Sequence, residues 1–139
     1  MISFAFFVLV TTASTYAESG CLRAIEEVET MSDEGCVYFH RDVMKDILKN
    51  EGCALFRPFA TYDKELCDPM ASVVFRCVAK KWDYLAEDET FDVAAFKRNV
   101  LNNECDEEPE FDVANEECVG LMDHFNVVLY GRCLAQHLS

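Results

Sequence analysis

The chain contains no Cys-x-x-Cys, no His-Glu-x-x-His and no Gly-x-Ser-x-Gly. The first absence removes support for a thioredoxin-type redox pair or a zinc knuckle. The other two remove the zincin and serine-hydrolase signatures. A glycine-rich phosphate loop is also missing, so His40-Arg41-Asp42 matches a kinase catalytic loop by accident. Basic residues are scarce: 12 Lys and Arg stand against 26 Asp and Glu, a formal net charge of −14. A field of that sign repels phosphate backbones and anionic lipid surfaces, which argues against nucleic-acid partners and membrane lysis.

The apolar run from Ile2 to Val10 is too short for a bilayer span, which takes roughly 20 residues. It leads into Thr15-Tyr16-Ala17, small at the two positions a signal peptidase reads. The expected organisation is a signal peptide over residues 1–17 and a single domain over residues 18–139. The mature chain is then secreted, extracellular and not inserted in a membrane.

What the chain does have is cysteine. Cys21, Cys36, Cys53, Cys67, Cys77, Cys105, Cys118 and Cys133 all follow the expected cut. An even count in an exported chain reads as four disulfides with no free thiol, their connectivity open. A chain this size also buries roughly two-thirds of its unfolded surface, so the bridges supplement a core.

Helical periodicity runs nearly throughout. Cys21, Ile25, Val28 and Met31 share a face of a first helix, and Val37, Met44, Ile47 and Leu48 mark a second segment ending near Gly52. Pro58 interrupts the middle. Asp68-Pro69 looks like a capping acid with proline at the first helical position, starting a helix with Val73, Val74, Cys77, Val78, Trp82 and Leu85 inward. Thr90 or Asp92 caps the next, which buries Phe91, Ala95, Phe96 and Val100. The acidic stretch Glu104–Glu117 follows, and a last helix starting after Asp112 carries Cys118, Leu121, Met122, Phe125, Val128, Leu129 and Cys133. Val127–Tyr130 has strand-like composition but no partner strand. The expected class is all-α, a compact bundle of five or six short helices cross-linked by four disulfides.

One consequence is sharp. If a single helix joins Cys118 to Cys133, their Cα atoms lie roughly 22 Å apart. A disulfide needs less than about 7 Å, so the two are expected not to pair. A 118–133 bond would require a break at Gly120 or Asn126.

Candidate chemistry is thin. Asp123-His124 resembles the adjacent His and Asp of small secreted phospholipases, but the cysteine pair and the glycine-rich calcium loop of those enzymes are missing. No two of His40, His124 and His137 are four apart on one helix, so no metal site and no cofactor is assigned. The run 104–112 lacks the order and the glycine of an EF-hand loop, and reads as a solvated connection. No catalytic residue emerges, and the chain reads as a non-enzyme.

The aromatic inventory is more suggestive. Phe75 and Trp82 lie two turns apart, Met122 and Phe125 three residues apart, and Phe96 is flanked by Ala94 and Ala95. These five are expected to line a common apolar interior, where a small hydrophobic ligand would sit between helices. With its signal, acidity and disulfide-locked helices, the chain resembles the odorant-binding-protein-like carriers of arthropods. It lacks their short cysteine spacings, since its closest pair, Cys67 and Cys77, flanks nine residues. It also resembles the tick microplusin type, without that type's histidine-rich tail. The resemblances imply a helical, secreted, noncatalytic binding protein. Alternatives are an effector or toxin acting through its surface on an extracellular protein, and a metal-sequestering defence protein.

Overall fold

Four helix starts are written in single polar residues. Asp33, Asp63, Asp92 and Asn126 each accept the backbone N–H three residues on, from Cys36, Leu66, Ala95 and Leu129. Such a side chain satisfies one of the amides that a helix N-terminus leaves unpaired. In the computed structural model, described over residues 19–28, 33–53 and 62–139, seven α-helices follow. They are α1 (Gly20–Val28), α2 (Glu34–Phe39), α3 (Arg41–Lys49), α4 (Lys64–Lys81), α5 (Val93–Asn99), α6 (Phe111–Cys118) and α7 (Val127–Leu138). The fold is all-α, with no strand among the described residues beyond an isolated Leu85–Phe91 bridge. The expected signal segment lies outside those residues, and no described helix is long and apolar enough to cross a membrane.

Several helix boundaries differ from the sequence reading. The α4 helix starts a turn before Asp68-Pro69, because Asp63 takes the cap. Pro69 then falls inside the helix, and Asp68 points into the core. The second expected segment breaks at His40 into α2 and α3, and Leu48 is left exposed instead of buried.

The expected last helix also breaks. Behind α6, residues Val119–His124 form a 3-10 segment, and Phe125 adopts a left-handed backbone with φ 59°. Asn126 then caps α7, so Val127–Tyr130 is helical. The chain turns back at this point, and the expectation that Cys118 and Cys133 stay apart is overturned. They are bonded, with Cα atoms 5.8 Å apart. Gly120 has no positive φ; the reversal sits at Phe125.

The other bridges join Cys21 to Cys105, Cys36 to Cys77 and Cys53 to Cys67, leaving no free cysteine. They tie α1 to the acidic connection, α2 to α4, and the turn at Glu51–Cys53 to α4. Gly131 lets α7 approach α1 closely, for an added Cβ would stand 3.2 Å from Val28 Cγ1.

At the centre, Tyr84, Phe91, Phe96 and Tyr130 meet edge to face with centroid separations of 5.3–6.2 Å. Edge contacts set positive ring rims against negative faces and add to burial. Tyr130 Oη donates to Asn115 Oδ1 at 2.6 Å, whereas the buried Tyr84 hydroxyl has no partner among the described residues. Burial pushes both phenols above their ordinary range, so both stay protonated. An unpaired buried hydroxyl costs stability. Tyr84→Phe is therefore expected to raise stability by about 1 kcal/mol. A lower denaturation midpoint for the variant would contradict this.

Asp33 has a second partner besides its own helix, an ion pair with Lys81 at the end of α4. The Lys81 hydrogen bond, followed by the Cys36 amide, holds the Asp33 carboxyl below the ordinary range. A carboxyl depressed in the folded state stabilises at pH above its unfolded value, about 3.9. That stabilisation fades as pH falls through the folded value. Lys81→Met should thus be less stable than the parent at pH 7, and the gap should close in strong acid. Urea denaturation of both proteins at the two pH values checks the sign.

Candidate functional site

The five residues expected to line the interior separate into four and one. Phe75, Phe96, Met122 and Phe125 are buried in one hydrophobic cluster drawn from α4, α5 and the 119–125 turn. The Arg76 guanidinium lies over the Phe125 ring at 5.3 Å. Trp82 is 40% exposed and lies outside the cluster. The reason is local: α4 ends at Lys81, Trp82 is its C-cap, and Asp83 turns left-handed at φ 54°. The two-turn spacing from Phe75 therefore no longer places the indole on the same side.

The surface offers something the periodicity concealed. On α2 only Cys36 is buried, where its disulfide anchors the helix to α4. Tyr38 and Phe39 are 69% and 80% exposed, and their rings meet edge to face at 6.3 Å. Leu48 on α3 is 74% exposed. Flanking charges are largely neutralised in place, with Lys45 near Asp42 and Lys49 hydrogen-bonded to Asp46 at 3.0 Å. Helical spacing across Val37–Leu48 suggested one buried stripe. The sequence carries no proline or glycine next to His40 to mark the break.

Of the acidic stretch, residues 104–110 form the connection after α5, and residues 111–117 belong to α6. Lys97 reaches Asp106 at 3.6 Å and also stands 4.8 Å from the centre of the Phe111 ring. Of the histidines, His40 caps the α2–α3 junction through its backbone, and His124 is exposed. His137 stands 3.3 Å from Glu117. No family model, curated protein or solved structure matches the chain. The functional reading rests on these residues.

Proposed function

We propose that this chain is an extracellular, noncatalytic binding protein that engages a protein partner through its α2–α3 surface. The observation that carries the reading is the Tyr38–Phe39 pair. Two large aromatic side chains stand out from a helix that a disulfide fixes to α4. Exposed apolar groups of this size are costly in water, and clusters of them mark contact surfaces. Aromatic anchors held rigid before binding lose little entropy on docking and are enriched among residues that dominate interfaces. The formal charge of −14 favours a neutral or cationic partner. A ligand held between the helices is the rival reading, and Phe75, Phe96, Met122 and Phe125 would be its walls.

The test is a comparison of the oxidised protein with its Tyr38→Ser/Phe39→Ser variant. Both side chains are solvent-exposed, so the variant should keep parental stability to within about 0.5 kcal/mol. Saturable binding of labelled protein to extracellular protein targets should be competed by unlabelled parent and not by the variant. Stoichiometric displacement of a fluorescent fatty acid, equal in parent and variant, would favour the interior carrier and sink the surface reading.

A further inference from the structure

The Cys118–Cys133 bridge joins the end of α6 to α7. His137 follows Cys133 by four residues on α7, so the two side chains share a helix face. Cys118 Sγ, Cys133 Sγ and a ring nitrogen of His137 lie within 4.8 Å of one another. The fourth neighbour is Glu117, whose Oε2 is 3.3 Å from His137 Nε2. Two sulfurs, an imidazole and a carboxylate make up a tetrahedral zinc donor set. While the sulfurs are bonded to each other they are not thiolates, and the set is closed to metal.

We infer that Cys118, Cys133, His137 and Glu117 form a zinc site that opens when this one bridge is reduced. A dithiol reductant attacks one sulfur as thiolate, forms a mixed disulfide, and leaves as its own cyclic or protein disulfide. The two electrons and two protons it gives up convert the bridge to two thiols. Zinc then takes both as thiolates and releases the two protons to solvent. The sulfurs must separate to roughly 3.7 Å, the edge of a tetrahedron with Zn–S of about 2.3 Å. That movement is small because Cys118, Cys133 and His137 already lie within 4.8 Å of one another, and Glu117 stands beside His137. Access favours this bridge as well. Cys133 is partly exposed, whereas both residues of the Cys21–Cys105 and Cys53–Cys67 bridges are buried. Cys77 is the other partly exposed cysteine, so the Cys36–Cys77 bridge is the competitor for reductant.

The experiment is limited reduction with a phosphine under anaerobic conditions. Thiol mapping then isolates the species open at Cys118 and Cys133 alone, and cobalt(II) serves as the spectroscopic stand-in for zinc. One equivalent of cobalt should give the intense absorption of tetrahedral thiolate coordination, and one equivalent of zinc should abolish it. His137→Ala, treated alike, should weaken cobalt binding at least about tenfold, since even outer-shell partners of a metal are worth that much. The oxidised protein should show no such spectrum. Three results would overturn the inference. They are a singly reduced species that takes up no cobalt, uptake indifferent to His137→Ala, and loss of helical circular dichroism once this bridge alone opens.

Discussion

Replacing Cys21 and Cys105 together by alanine is expected to cost about 4–5 kcal/mol, against about 3 kcal/mol for Cys53 with Cys67. The bridges span sequence separations of 84 and 14 residues. In the chain-entropy account, a cross-link restricts the unfolded chain more when it closes a longer loop. Cys21 also lies in the first turn of α1, a helix of nine residues that would be marginal alone. Without the bridge, α1 is held chiefly by packing of Ile25 and Val28 on the core, with Gly131 allowing the close approach. Urea midpoints and slopes of the two double variants measure the difference. Equal losses would show that packing around the sulfurs, rather than loop length, sets what each bridge contributes.

The sequence made the class of fold legible because apolar residues recur at 3–4 spacing and because acids mark helix starts. The sequence narrows the cap of α5 to Thr90 or Asp92, of which Asp92 serves, and the even cysteine count matches four bridges. The pairing was not legible, since eight cysteines allow 105 connectivities and spacing alone does not choose among them. Helix ends were the harder problem. From Cys118 to Cys133 the apolar spacing stays helical, yet the backbone leaves the α-helix at Val119 and reverses at Phe125. Periodicity records which side chains face inward, and a tight turn that keeps them inward leaves the pattern intact. Trp82 illustrates the same limit from the other side. Its position suits a buried helix face, but the helix stops one residue before it. The exposure of Tyr38 and Phe39 leaves no periodic signal for a related reason, because α2 has six residues and its disulfide replaces the apolar stripe that would have oriented it.

Asn126→Ala is expected to cost about 2.5–4 kcal/mol, because one amide serves two structures at once. Its oxygen accepts the Leu129 N–H at 3.1 Å and so begins α7. Its nitrogen donates to Asp68 Oδ1 at 2.7 Å and lies 3.3 Å from the Tyr62 hydroxyl, linking residues 58 and 64 positions away. Tyr62 Oη donates to the same Asp68 oxygen at 2.7 Å. Burial, and then this bond to Asp68, raise the Tyr62 phenol well above its ordinary range, so it remains a donor. Losing a cap costs roughly 1 kcal/mol. Losing a charge-assisted hydrogen bond to a carboxylate that is 1% exposed costs roughly 1.5–3 kcal/mol more, even though the same oxygen keeps the Tyr62 hydroxyl. Asn126→Asp separates the two contributions. It keeps an oxygen for Leu129 but turns a second acceptor toward Asp68, and at pH 7 it should be nearly as damaging as alanine. Adding Asp68→Asn to Asn126→Asp restores a donor opposite an acceptor with the roles exchanged, and should recover much of the loss. If Asn126→Asp proves as stable as the parent, the cap alone matters and the buried network does not tie the start of α7 to Tyr62 and Asp68. A double-mutant cycle that shows no coupling between positions 68 and 126 would lead to the same conclusion.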